Sequence, residues 1–313
     1  MNTRVRSAIS RREAIRNALM LCVAGGGVER TWSAELPASN APLSRPIPSS
    51  GERIPIVGLG TDSFREDARD AIRAEIQRMH ELGGTVIDTA AAYGPSEALI
   101  GEALVATGLR DRMFIATKLS ATAAYDRING EASFLRSLER LHAHIDLLQI
   151  HNLDGMDSLM PLLQKWKQSG MIRYLGVTTS LNSQHAGIVE AMRRYPLDFI
   201  QVDYSIGNRD AATTVLPVAL ERKVAVLVNL PLERAALIGQ ASQRQLPDWV
   251  SSIDVKSWSQ FFLKYVISHP AVTCAIPGST KLAHLEDNQA AARGRLPDAA
   301  MRQRMEKFWD ARA

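Results

Sequence analysis

The chain has 313 residues, 46% of them hydrophobic and 22% charged, and a net charge of +4. That length can bury a sizeable core, and the composition is that of an ordinary globular protein. Residues 1–34 hold six arginines against two glutamates, which accounts for the whole excess; the near-neutral remainder excludes the basic face that a nucleic-acid partner requires.

Within that first stretch, Arg11 and Arg12 precede a short apolar run, Ala18 to Val28. The run is far below the roughly 20 residues needed to span a bilayer, so no stable membrane span is expected. A basic region followed by a modest apolar core is the layout of an export signal. "SRREAIR" resembles the leader read by the twin-arginine translocation machinery, which implies a periplasmic protein; the alternative is an amphipathic N-terminal helix on a cytoplasmic one. Residues 35–52, rich in Pro and Ser, read as a flexible connector. With Cys22 in the leader, the mature chain would keep Cys274 alone and form no internal disulfide.

From residue 53 to 313 the pattern alternates. Apolar runs predict strands over 54–60, 85–90, 113–119, 145–151, 174–178, 199–204, 224–230 and 272–277. Helical spacing follows each, over 65–81, 96–107, 127–142, 156–169, 184–193, 211–222, 256–268 and 283–292, with a further helix at 297–311. Ser96 is placed to cap the second helix at Glu97. Eight strand-helix units in about 250 residues predict an α/β fold, a single-domain (β/α)8 TIM barrel. An open doubly wound sheet is disfavoured, because "GLGTDSF" after the first strand lacks the full G-x-G-x-x-G spacing.

In such a barrel, residues at the C-terminal strand ends converge on one mouth. Here that rule collects Asp88 and Tyr93 from the second unit, Lys118 from the third and His151 from the fourth. Their chemistry is mutually explanatory. A phenol with a pKa near 10 is a poor acid at neutral pH, and a lysine ammonium beside it would lower that value while an aspartate holds the lysine charged. A histidine can then donate to the same substrate oxygen. The set polarises a carbonyl and protonates an oxygen, and leaves a cofactor to supply the reducing equivalent. It contains no metal-ligand pattern.

These residues stand in motifs that resemble the aldo-keto reductase family: "VIDTAAAYG", "IATK", "LLQIHN", "MIRYLGVTTS" and "AIPGSTKLAHLEDNQA". The resemblance spans about residues 53–293 and implies reversible, NADPH-dependent reduction of a small aldehyde or ketone, with Tyr93 as general acid in reduction and general base in oxidation. Catalytic roles fall on Asp88, Tyr93, Lys118 and His151. It also implies contacts to the nicotinamide end from Thr178, Thr179, Gln201 and Asn229, and to the pyrophosphate from Leu232 and Arg234. Ser279, Thr280, Lys281, His284 and Asn288 would meet the ribose 2'-phosphate and adenine. Lys281 with His284 favours NADPH/NADP+ over NADH.

Two positions depart from the family pattern. Thr178-Thr179 stands where serine-asparagine is usual, and Asn229 where an aromatic usually lies under the ring. Phe64, Trp249, His151, Asn152 and Leu153 are candidates for the substrate wall, although Trp249 could equally pack outside. Other readings are a nicotinamide-binding regulatory or accessory protein with little turnover, and a lyase or isomerase using Lys118 as a Schiff-base amine.

Overall fold

The computed structural model describes residues 41–121 and 130–311. The leader expected over 1–34 and the first part of the connector lie outside them. Residues 44–55 depart from the connector reading. They form an antiparallel hairpin of β1 (Ser44–Pro46) and β2 (Arg53–Pro55), with Arg45 opposite Ile54. Its apolar residues Ile47 and Ile54 are fully buried, which gives the segment a packing reason to stay ordered.

Eight parallel strands follow: β3 (Leu59–Gly60), β4 (Val86–Asp88), β5 (Phe114–Leu119), β6 (Ile145–Ile150), β7 (Ile172–Thr178), β8 (Phe199–Asp203), β9 (Ala225–Asn229) and β10 (Cys274–Ala275). They hydrogen-bond in chain order, and bridges Val57 to Ala275 and Gly60 to Gly278 join the last strand to the first. Closure demands a small residue at the seam. A Cβ on Gly60 would lie 2.7 Å from the Ile276 carbonyl oxygen. The run expected as one strand over 54–60 therefore divides, its first half joining the hairpin and its second the barrel.

Helices occupy the outside: α1 (Arg69–Glu81), α2 (Ser96–Thr107), α3 (Gly130–Leu141), α4 (Met156–Gln168), α5 (His185–Arg194), α6 (Asp210–Thr214), α7 (Leu216–Arg222), α8 (Ala236–Ala241), α9 (Trp258–Ile267), α10 (Leu282–Ala290) and α11 (Ala299–Asp310). Helix α1 shows why they pack: Ile72, Ile76 and Met79, one turn apart, all face the strands. Ser257 and Asp298 cap α9 and α11 by accepting from the backbone N–H groups of Gln260 and Met301. The single helix expected over 211–222 breaks at Val215, because Pro217 has no N–H to give and its ring crowds the preceding turn. Helix α8 is additional to the sequence expectation.

Successive strand residues face opposite sides. Outward ones such as Ile87, Ile115, Leu148, Val177 and Ile200 form the main core with the helices. Inward ones change character along the axis. Near the strand starts Val86, Phe114, Leu147, Tyr174, Phe199 and Leu227 pack on Ile47 and Ile54 of the hairpin, which closes the base. Near the strand ends the inward positions turn polar, with Asp88, Lys118, Gln149, Thr178 and Gln201. Among the described residues no helix is long and apolar enough to cross a membrane.

Candidate active site

The polar end opens into a cavity of about 890 Å³. Asp88, from the end of β4, is its central anion. Its Oδ2 accepts from Lys118 Nζ at 2.6 Å, and its Oδ1 accepts from Gln201 Nε2 at 2.8 Å. Lys118 Nζ also donates to the Thr89 carbonyl at 2.8 Å and lies 5.1 Å from the centre of the Tyr93 ring. The His151 ring meets Tyr93 edge-on, 5.8 Å between centroids. Asp88, Tyr93 and His151 line the cavity, and Lys118 lies buried beneath them.

Charge and burial set the protonation of this group. Burial works to lower Lys118, but Asp88 and Tyr93 outweigh it and leave the ammonium raised above its ordinary value. Burial pushes Asp88 up, and attraction to Lys118 opposes this. For Tyr93 the expectation of a lowered pKa is corrected. Burial raises the phenol, the Lys118 charge pulls it down without overcoming that, and Asp88 and Asp62 add to the rise. Tyr93 therefore holds its proton at neutral pH, the form an acid needs. His151 is lowered to about 4, first by burial and then by Lys118, so its imidazole is neutral at pH 7.

The loop bearing Tyr93 is fixed from behind. Ser96 does not cap α2 as expected; Pro95 holds that position. Its hydroxyl instead lies 2.8 Å from Thr61 Oγ1 and 3.0 Å from Thr89 Oγ1, while Thr61 Oγ1 donates to the Asp88 carbonyl at 2.9 Å. Buried Glu97 accepts from Thr117 Oγ1 at 2.6 Å and from Arg140 Nε at 2.7 Å, tying α2 to β5 and α3. Both ends of the 88–97 segment are thus anchored by polar side chains that tertiary structure, not local spacing, brings together.

Of the remaining expected residues, Thr178, Gln201, Asn229, Leu232, Arg234, Ser279, Thr280, Lys281, His284 and Asn288 all line the cavity. Thr179 does not. Its hydroxyl donates to Gln184 Oε1 at 2.7 Å and accepts from the Leu181 N–H at 3.0 Å, which turns it away. Asn229 reaches across, its Nδ2 donating to the Thr179 carbonyl at 2.9 Å, and leaves Oδ1 buried without a partner. Asn288 Oδ1 accepts from Ser259 Oγ at 2.5 Å. Arg234 pairs with Asp62 at 2.7 Å, joining the loops after β9 and β3. Leu230, Glu233, Arg234 and Ala235 in the first of these loops all have positive φ, a conformation costing about 1–3 kcal/mol per residue that the surroundings must hold.

The substrate wall differs from expectation. Phe64 is 1% exposed in the main core and does not face the mouth. Trp249 packs on Phe261, Phe308 and Arg304 outside the barrel. His151 and Asn152 do line the cavity, whereas Leu153 packs against the core. Lining residues that sequence reasoning passed over are Thr61, Asp62, Ser63, Ser180 and Trp258. The first four follow strand ends, the same signal that marks Asp88, Lys118 and His151. Trp258 carried no such signal, since it starts α9 and reaches the cavity through tertiary packing, with its indole N–H on the Arg244 carbonyl at 3.0 Å.

Comparison with known proteins finds relatives along most of the chain. A family model described as the aldo/keto reductase family matches residues 57–309. Methylglyoxal reductase YeaE of Escherichia coli is 30% identical over 262 residues, covering 79% of this chain and 89% of that protein. Among solved structures, an aldo-keto reductase of Bacillus halodurans in its holo form is similar with a TM-score of 0.70 and 25% identity, covering 85% of this chain and 96% of that one. One from Klebsiella pneumoniae in complex with NADPH gives a TM-score of 0.69 at 25% identity, covering 83% and 92%.

Proposed function

The chain belongs to the aldo-keto reductase family, and from that premise we propose that it reduces a small aldehyde or ketone to the alcohol with NADPH as reductant. The observation that carries this reading is the buried Asp88–Lys118 pair set against Tyr93 and His151 at the mouth of one cavity. The E. coli relative's name makes methylglyoxal the first substrate to test.

The cavity suits a nicotinamide nucleotide. Asn229 Oδ1, buried and unpartnered, offers an acceptor to a carboxamide N–H, beside Thr178 and Gln201. Lys281 and Arg234 supply cations that phosphates require, and His284 lines the same part of the cavity. When bound, the nucleotide supplies hydride to the carbonyl carbon. The chain's own part is the proton. Tyr93 protonates the carbonyl oxygen, and Lys118, held charged by Asp88, stabilises the phenolate left behind. Neutral His151 hydrogen-bonds the same oxygen as negative charge develops on it. In the reverse direction the Tyr93 phenolate takes the proton back.

A Schiff-base role for Lys118 fits less well, because its pairing with Asp88 keeps the amine protonated. An accessory protein that only binds nucleotide would not need Tyr93, Lys118 and His151 together. Loss of reduced-nicotinamide absorbance with methylglyoxal, abolished in Tyr93→Phe while nucleotide still quenches tryptophan fluorescence, is the expected result. Turnover surviving that substitution would sink the reading.

Export of the folded protein through the twin-arginine route, with a periplasmic destination, is part of the proposal and rests on Arg11-Arg12 ahead of the apolar run alone. Free NADPH is not regenerated outside the cytoplasm, so this destination would restrict repeated turnover. Cell fractionation with N-terminal sequencing of the mature protein tests it; an intact N-terminus in the cytoplasm would reject it.

A further inference from the structure

One buried carboxyl group beside the cavity has no role in the chemistry above. Glu75 lies on the inward face of α1, 1% exposed, with Ile72, Ile76 and Met79. Its Oε1 is 3.2 Å from Ser279 Oγ, and its Oε2 is buried with no partner. Ser279 lines the cavity in the loop that enters α10, and its Oγ is also 3.0 Å from the Lys281 carbonyl oxygen.

Among the described residues no cation pairs with Glu75. On its own helix Arg69 pairs with Glu102 of α2, Arg73 with Asp70, and Arg78 with Glu81 and with Glu286 of α10. His80 lies five residues further along α1, on a different face of the helix. Across the contact, Lys281 and His284 face the cavity, and Asp62 in the loop before α1 is bound to Arg234. A carboxylate buried without a counter-charge is costly, so the neutral acid is favoured. Burial does raise its pKa, with the Ser279 hydroxyl opposing.

Hydrogen counting then fixes the direction of the bonds. Ser279 has one hydroxyl hydrogen and two neighbouring acceptors, the Lys281 carbonyl and Glu75. If the hydrogen goes to the carbonyl, the contact with Glu75 requires a protonated carboxyl that donates. A phosphate dianion in the cavity accepts only, so Ser279 must turn its hydrogen to the phosphate, and once more only a protonated Glu75 can complete the contact behind it. An ionised Glu75 would claim that hydrogen and leave a lone pair facing the phosphate.

We propose that Glu75, in its protonated form, is a positioning residue that aims the Ser279 hydroxyl at the ribose 2'-phosphate, so that preference for the phosphorylated nucleotide is linked to one proton on Glu75. The proposal rests on the nicotinamide reading above. NADP+ and NAD+ are titrated into the full chain across pH by quenching of tryptophan fluorescence, Trp258 lying in the cavity wall, for the wild type, Glu75→Gln and Glu75→Leu. In the wild type the NADP+ over NAD+ affinity ratio falls as pH rises through the Glu75 pKa, approaching about tenfold per pH unit. Glu75→Gln, whose amide donates at every pH, keeps the ratio high where the wild type loses it. Glu75→Leu has a low ratio throughout. Ionisation of the 2'-phosphate, near pH 6, acts on all three proteins alike and cancels in the comparison. Equal pH dependence in the wild type and Glu75→Gln overturns the proposal, as does a Glu75→Leu ratio equal to that of the wild type at low pH. Quenching by neither nucleotide overturns the nicotinamide reading itself, and this inference with it.

Discussion

The two ends of the barrel interior are built from the same strands and obey opposite rules. At the base, Phe114, Leu147, Tyr174 and Phe199 meet Ile47 and Ile54 of the hairpin in an apolar plug. Two to four residues further along those strands and their neighbours, Lys118, Gln149, Thr178 and Gln201 form a polar layer around Asp88. The base gains stability from area removed from water. The mouth instead spends it, holding a buried ion pair, a neutral histidine and one loop with four residues at positive φ. A scaffold sealed at one end lets the other hold groups that would not fold by themselves.

The sharpest way to separate the ends is Tyr93→Phe. It should lower kcat by about 10²–10⁴, the usual worth of general acid catalysis, and leave the melting temperature unchanged. At the base, Ile54→Ala removes buried methyl groups and should cost about 2–5 kcal/mol in denaturant unfolding with kcat unaltered in the folded fraction. Loss of chemistry from the base variant at full folding would break the division.

Acid stability tests the same division with one residue at each end. His151 at the mouth and His269 near the base, whose carbonyl is held by Arg45 of the hairpin, both have pKa values lowered to about 4, chiefly by burial. The unfolded chain binds these protons at about pH 6.5, so between pH 6.5 and 4 it takes up more protons than the fold, and stability falls as pH falls. Each His→Gln variant should flatten part of that slope in thermal melts, and His151→Gln alone should also lower kcat. The smallest effect is expected from Arg234→Ala. Its bridge to Asp62 is solvent-exposed and worth about 0.2–1 kcal/mol to stability, so a larger change in melting temperature would contradict a surface role.

Strand order and the meeting of Asp88, Lys118 and His151 are legible because both follow from one-dimensional signals, apolar runs and the polar residues that end them. Asp88, Lys118 and His151 each sit at such an end, and closure of the sheet is enough to bring them together. What was not legible depends on partners distant in sequence. Ile47 and Ile54 look like scattered apolar residues until the barrel base receives them. Thr179 is turned away by Gln184, Ser96 is claimed by Thr61, and Phe64 is drawn into the outer core. The direction of the Tyr93 shift is hidden from the sequence for a related reason: the charge of Lys118 can be read from a motif, whereas the depth of burial cannot.

The Asp88–Lys118 pair, with side chains 3% and 1% exposed, has a consequence for engineering this fold. Two ions removed from water repay their lost hydration only in part, and replacing such a pair by apolar residues of matching size is often neutral or stabilising by about 1–4 kcal/mol. A hardened version of this barrel is therefore most readily obtained by erasing the pair on which the proposed chemistry depends. Selection for thermal resistance alone would drift towards an inert scaffold, and any campaign to toughen the protein has to score turnover alongside survival of heating.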